Sequence, residues 1–163
     1  MRITQWGEFG ALCCIYMARK QTDESTRENS VSAAELSHAL SIPLQYTQQI
    51  LQRLRKGDVI ISVRGPGGGY LLSKDPKQIT LKDILSAAEG ETFEIICEHK
   101  TVLEECHEPG FSCGLKPVWY ELKDAVDKLL ASKTLDLLAN QAQDIRFGLV
   151  QLNKKNVAES PVS

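Results

Sequence analysis

A mainly α-helical fold carrying one small β-hairpin follows from three features of the 163-residue sequence. Two short amphipathic segments flank a tight turn at Ser41-Ile42-Pro43. A glycine run, Gly65-Pro66-Gly67-Gly68-Gly69, joins two strand-forming stretches, and a long apolar row follows Pro117. Together these predict a winged helix-turn-helix domain plus a long dimerisation helix. The expected boundaries are 1–90 for the winged domain, 91–116 for a cysteine-bearing loop, 117–140 for the dimerisation helices and 141–163 for a C-terminal extension and flexible tail.

From Ile3 to Lys20 the apolar side chains Trp6, Phe9, Leu12, Cys13, Tyr16 and Met17 recur at three-and-four spacing, which predicts a helix with one buried face. Gln21 to Ser30 is polar throughout and reads as a surface loop. Ser32-Ala33-Ala34-Glu35 has the pattern of a capping box and opens a second helix, whose inner face is Leu36 and Leu40. Pro43 suits a first helical position, and the next helix is expected from about Leu44 to Lys56. On it Thr47, Ile50, Leu51 and Leu54 line one face, leaving Gln45, Gln48, Gln49, Gln52 and Arg55 outward or flanking. Gly57 stops this helix.

Val59 to Arg64 then alternates as a strand, the glycine run turns, and Tyr70-Leu71-Leu72 returns as the partner, giving a hairpin wing. Thr80 caps a short helix from Leu81 to Ala88 that Gly90 ends. Pro117 opens the last long helix, with Val118, Leu122, Ala125 and Leu129 in one row and Trp119, Val126 and Leu130 beside it. That stripe is too wide for a lone surface helix, so a partner subunit is expected to cover it. Thr134 to Ala139 is expected to add a short helix to the same interface, and the tail beyond about Asn153 to fray.

The composition, 42% apolar and 25% charged, suits one compact chain. No stretch has the apolar length of a membrane span and the N-terminus lacks the apolar core of a secretory signal, so the expected location is cytoplasmic, with no membrane partner. The net charge of −2 hides an asymmetry: +3 over Met1 to Thr80 and −5 over Leu81 to Ser163. Between Ser41 and Gln78, Arg53, Arg55, Lys56, Arg64, Lys74 and Lys77 face only Asp58 and Asp75. A basic patch on an otherwise acidic chain fits specific binding of double-stranded DNA rather than indiscriminate coating. No local spacing assembles a nucleophile, a base and an orienting acid, so no enzyme is expected.

A glutamine side chain offers a donor and an acceptor that match the major-groove edge of adenine, which makes Gln45, Gln48 and Gln49, with Tyr46 beside them, the candidate base contacts. Arg55, Lys56, Arg64 and Gly65 are the candidate backbone or minor-groove contacts. Against this, an exposed glutamine-rich helix face also serves solubility alone. The glycine run is followed by a strand and by no Lys-Ser or Lys-Thr pair, which excludes a nucleotide-binding P-loop.

The five cysteines are odd in number and divide into an adjacent pair and a spaced trio. Cys13 and Cys14 lie in an apolar run and read as core. Cys97, Cys106 and Cys113 lie in a polar segment that also holds His99 and His107. Three thiolates suit an iron-sulfur cluster, 2Fe-2S or 4Fe-4S, with one coordination position open. Structural zinc held by the three cysteines and His107, or thiols without a metal, fit the same residues. His38, near the turn, reads as a surface or capping residue.

The run Leu54-Arg55-Lys56-Gly57, followed by Ile60-Ile61-Ser62-Val63-Arg64-Gly65-Pro66-Gly67-Gly68-Gly69-Tyr70-Leu71-Leu72, resembles the signature of the IscR/NsrR-type iron-sulfur transcription regulators. The resemblance extends from Arg2 to about Ala139 and includes the three loop cysteines and Trp119 after them. It implies a homodimer on a near-palindromic promoter site whose affinity is controlled by a cluster sensing redox state, nitric oxide or iron supply. It also places the cluster ahead of zinc. A winged-helix regulator with structural zinc or no metal, controlled by a partner protein, is the alternative. In the IscR branch a histidine follows the last cysteine by three, and that position here is Lys116, which is no ligand while protonated. The nitric-oxide-sensing branch resembles this chain at Glu8, where an acidic residue of the partner subunit completes the cluster. Glu8 is therefore the expected fourth ligand, ahead of His107 and then His99, and a solvated helix-terminal carboxylate is the competing reading.

Overall fold

A computed structural model describes residues 3–21, 29–90 and 114–141. The polar loop expected at 21–30, the cysteine segment and the C-terminal tail fall mostly or wholly outside the described residues. Helix α1 (Gln5–Lys20) is followed by α2 (Ala33–Leu40), α3 (Leu44–Lys56), strands β1 (Ile60–Val63) and β2 (Gly69–Leu72), a 3₁₀ turn (Pro76–Gln78), α4 (Leu81–Glu89) and α5 (Leu115–Ala131). Residues 135–141 are helical as well. The mainly α fold with a two-stranded hairpin agrees with the sequence expectation.

The periodicities place the core. Met17 of α1, Leu36 of α2, Ile50, Leu51 and Leu54 of α3, Ile60 of β1 and Ile84 of α4 are all but fully buried and form one cluster. Cys13 and Cys14 lie inside it, as expected. Burial pushes the Cys13 thiol up to about 12 and the Cys14 thiol well above its ordinary range, so neither is a reactive thiolate.

The local signals are met with three adjustments. Gly57 follows α3 at φ −89°, and the left-handed residue is Asp58 at φ 57°. What holds Gly57 is space, since a Cβ there would lie 2.4 Å from Cβ of Ala87 on α4. Pro43 is the N-cap of α3, one place earlier than expected, and α5 begins at Leu115, so that Pro117 is its third residue. A proline is tolerated there because the first-turn N–H groups have no intrahelical partner.

Ser32 Oγ accepts from Glu35 N at 3.1 Å, but the Glu35 carboxylate is directed mainly across to α1. It accepts from the Tyr16 hydroxyl at 2.9 Å and from Lys20 Nζ at 2.5 Å. Thr80 caps α4 with a full capping box to Asp83.

The hairpin pairs Ile60 with Leu72 and Val63 with Gly69. Its turn is closed by Gly68 N donating to Gly65 O at 2.9 Å, with Pro66 then Gly67 (φ 73°) at the central positions of a type II turn. Val31 bridges to Tyr70 as a one-residue third strand, and Ser30 Oγ donates to Gly67 O at 2.7 Å.

Past α5 the chain returns to the core. Leu81 N donates to Lys133 O and Leu135 N to Ile79 O, at 2.8 and 2.7 Å. Leu135 and Ala139 are consequently buried in their own subunit, which differs from the expectation that 134–139 faces a partner. Leu137 keeps that outward position.

Burial raises the Glu35 carboxyl, and the Lys20 and Tyr16 hydrogen bonds overcome it, leaving the group below its ordinary range. A depressed carboxyl contributes stability above its unfolded pKa and loses it as pH falls through the folded value. Thermal unfolding across the acid range should therefore show Glu35→Gln less stable than the parent at neutral pH, with the difference closing as the carboxyl protonates. A gap independent of pH would contradict the assignment.

Candidate nucleic-acid interface

The turn between α2 and α3 is held from within. Ser41 takes a left-handed conformation at φ 56°, Ser37 Oγ donates to Ile42 O at 2.6 Å, and Ile42 is buried. Pro43 makes no side-chain cap, so the first-turn amides of α3 have no capping partner from that residue and are suited to a phosphate. Buried Thr47 donates through Oγ1 to Pro43 O at 3.1 Å and fixes the start of the helix.

With 3.6 residues per turn, the buried stripe Thr47, Ile50, Leu51 and Leu54 forces Gln45, Gln49, Gln52 and Lys56 to the opposite side. Gln48 and Arg55 fall on one flank, and Tyr46 and Arg53 on the other. Gln45, Gln48, Gln49, Gln52, Arg55 and Lys56 are all exposed. Arg64 and Gly65 are exposed at the wing, where a Cβ on Gly65 or Gly67 would meet nothing. The outward and flanking side of α3 and the wing carry the three candidate cations Arg55, Lys56 and Arg64 together with the glutamines, and the first turn of the helix has no acidic residue.

Tyr46 departs from the other candidates. Its ring is half-buried, 4.3 Å from the Trp6 ring and edge-on to Phe9 at 5.8 Å, both on α1. It packs the recognition helix onto its support. Arg53, counted in the basic patch, also turns to that support, with its guanidinium 4.1 Å from the Trp6 ring centroid.

The N-terminus of α1 is pinned by a residue that local sequence signals did not reveal. Thr4 Oγ1 accepts from Trp6 N at 3.2 Å, and Glu89 Oε1, from the last turn of α4, accepts from both Thr4 N and Gly7 N at 2.8 Å. This is the chemistry of a capping box with its carboxylate supplied by another helix, more than eighty positions away. Glycine at the third helical position leaves room for the clamp, because a Cβ on Gly7 would lie 2.1 Å from Glu89 Oε1 and displace that carboxylate. Glu8, next in sequence, is exposed.

Cys97, Cys106, Cys113, His99 and His107 lie outside the described residues, and among the described residues no group of three His, Cys, Asp or Glu side chains forms a metal site. Lys116 is half-buried with Nζ 6.0 Å from the Tyr120 ring. No helix of the described residues is long and apolar enough to cross a membrane.

A tight turn, a helix with a bare polar face and a basic hairpin define a winged helix-turn-helix DNA-binding protein. Residues 3–141 match the Rrf2 family, described as iron-dependent transcriptional regulators, and the chain belongs to that family. It is 31% identical over 158 residues to the HTH-type transcriptional regulator IscR of Photorhabdus laumondii, covering 97% of this chain and 91% of that protein. The Yersinia enterocolitica IscR is 33% identical over 145 residues, covering 89% and 82%.

Among solved structures, CymR, the global cysteine regulator of B. subtilis, superposes with a TM-score of 0.66 at 26% identity, covering 86% of this chain and 98% of that one. T. potens IscR shares the fold with a TM-score of 0.66 at 24% identity, covering 89% and 90%. The chain is a DNA-binding transcription regulator and not an enzyme.

Because hydrogen bonds to a charged acceptor are among the stronger ones, Glu89→Ala should cost about 2 kcal/mol of unfolding free energy. Gly7→Ala should cost a similar amount by displacing the same carboxylate, and the double variant less than the two losses added. Urea unfolding measures all three, and additive losses would show that the two residues do not share one clamp.

Proposed function

We propose that the chain is a cytoplasmic, homodimeric promoter-binding regulator whose affinity for DNA is set by an iron-sulfur cluster. Gln45, Gln48 and Gln49 read base edges, Arg55, Lys56, Arg64 and the Gly65 backbone hold phosphates or the minor groove, and Tyr46 packs α3 in place. The observation that carries the DNA contacts is the exposed glutamine and basic face of α3 beside the wing.

The homodimer rests on α5. Leu115 (60% exposed), Val118 (52%), Leu122 (43%) and Leu129 (57%) leave a bare row that Ala125 completes. The steps alternate three and four, the seam along which two helices pair.

The donor set fits a cluster: Cys97, Cys106 and Cys113 supply thiolates, and Glu8 of the partner subunit supplies the fourth position. When bound, such a cluster provides iron that is open to oxidants and to nitric oxide. A carboxylate is a harder ligand than a thiolate and holds that iron less firmly, which suits a sensor. The protein's own part is to carry Glu8 on a helix start that Glu89 ties to α4, directly before the cysteine segment. A change at Glu8 is then felt by α1, whose Trp6 and Phe9 support α3.

The second reading, a regulator with structural zinc or no metal controlled by a partner protein, draws on the equally good superposition of CymR. Anaerobic purification discriminates between them: coloured protein containing iron and sulfide supports the cluster, and colourless protein that still retains promoter DNA supports the second reading. Serine replacement of the trio should abolish the colour, and Glu8→Ala should weaken cluster retention more than His107→Ala; equal retention in those two variants removes the assignment of Glu8. On DNA, Arg64→Ala should lower affinity across all sequences and reduce the slope of log K against log salt by about 0.9. Gln48→Ala should instead relax base preference by about 1–3 kcal/mol at one position, read by binding-site selection.

A further inference from the structure

We propose that Arg53 is a positioning residue for DNA reading. It fixes the angle of the recognition helix by closing its guanidinium on the Trp6 ring of α1 and the Ala88 carbonyl of α4, and it makes no contact with DNA. Arg53 is one of six cations between Ser41 and Gln78, and by sequence alone it is indistinguishable from its neighbours Arg55 and Lys56. Its geometry sets it apart. The guanidinium carbon stands 4.1 Å from the Trp6 ring centroid, and Nη1 donates to Ala88 O at 2.8 Å.

Both partners are chemically apt. Indole is the best aromatic acceptor of a cation, and a planar guanidinium stacks on it. Ala88 is the penultimate residue of α4, so its carbonyl is one of those the helix leaves without an internal partner, and the partial negative charge there favours a cation. One side chain thus joins three helices.

The same indole is 4.3 Å from Tyr46, seven residues before Arg53 and on the same flank of α3. Seven residues span about 10 Å of helix axis, so Trp6 grips the recognition helix at two levels. The buried stripe of α3 alone is a non-directional contact and resists rolling poorly. The guanidinium bond to a fixed carbonyl is directional. A roll of about 10° would move an outward side chain, some 5–6 Å from the axis, by about 1 Å. A hydrogen bond to a base edge tolerates only a few tenths of an ångström before it weakens. The clasp therefore bears on specific reading more than on general attraction to phosphate.

The test uses the full chain with Trp119→Phe as the common background, leaving Trp6 as the fluorescent reporter, and two probes. One probe is the duplex that the parent protein enriches from a randomised library, and the other is a random-sequence duplex. Arg53→Gln should weaken binding to the enriched duplex about tenfold, or 1.4 kcal/mol. It should leave binding to the random duplex and the salt slope unchanged, and it should shift Trp6 emission. Arg53→Lys, which keeps a cation over the ring, should recover part of the affinity and of the emission. Trp6→Leu should lose specific affinity to a similar extent, and the double variant no more than the worse single one. A fall in the salt slope of about 0.9 in Arg53→Gln, the mark of a lost phosphate contact, would overturn the proposal. So would unchanged specific affinity in both Arg53 variants, or losses that add in the double variant.

Discussion

The architecture depends on one constraint: a helix that reads DNA has to bury one stripe completely and leave the opposite face bare. Thr47, Ile50, Leu51 and Leu54 are fully buried, and among the described residues nothing covers Gln45, Gln48, Gln49 and Gln52. Burying an aliphatic side chain is worth about 1.5–3 kcal/mol, so the three aliphatic residues alone hold α3 firmly without help from its polar side. The outward side chains are thereby free of structural duty. That freedom lets their identity vary with the DNA site while the helix keeps its place.

Binding one face is not enough to fix an orientation, and the last turn of α4 supplies what is missing. Ala88 receives the Arg53 guanidinium through its carbonyl, and its methyl lies close against Gly10 of α1. Glu89 caps the start of α1. Ala87 faces the end of α3 at Gly57. Three consecutive residues thus touch the beginning of the first helix and the end of the reading helix, and the sequence that follows them carries the cysteine trio. A disturbance at either side of this turn has a short mechanical path to the other, through directional bonds to charged groups rather than through soft apolar contacts.

Much of this was legible in the sequence because it is local. The extent of α3, its buried stripe, the hairpin and the Thr80 cap follow from periodicity and from residues within four positions of one another. The joint was not legible, because its partners are distant in sequence: Glu89 and Gly7 are separated by 82 positions, and Arg53 and Ala88 by 35. Gly7 gave no readable signal either, since a glycine near a helix start looks like a cost in propensity until the carboxylate filling its missing side chain is seen. Gly57 does end α3, as its position suggests, but the reason lies in a distant partner: it lets α4 come close, and Asp58 takes the left-handed conformation. Among the candidate contacts, Tyr46 could not be separated from Gln45 by composition; only the helical wheel, read with Trp6 in place, puts it on the supporting flank.

The long helix α5 poses a different question of economy. Its inner edge is secured by buried Leu130 and by the Lys82–Asp127 ion pair at 3.2 Å, while Leu115, Val118, Leu122 and Leu129 stay bare. A helix that only needed to close its own domain would place polar residues along that row, as α3 does on its outer face. The residues 135–141 do not shield it, because Leu135 and Ala139 are drawn into the core by the backbone bonds to Ile79 and Leu81. Among the described residues these two surfaces therefore differ in kind: a polar and basic one suited to a charged duplex, and an apolar seam with a three-and-four period suited to the second copy proposed above. In the proposed homodimer, a duplex with two half-sites is matched by two reading helices only if the subunits are held at fixed spacing, which a seam of this length would provide.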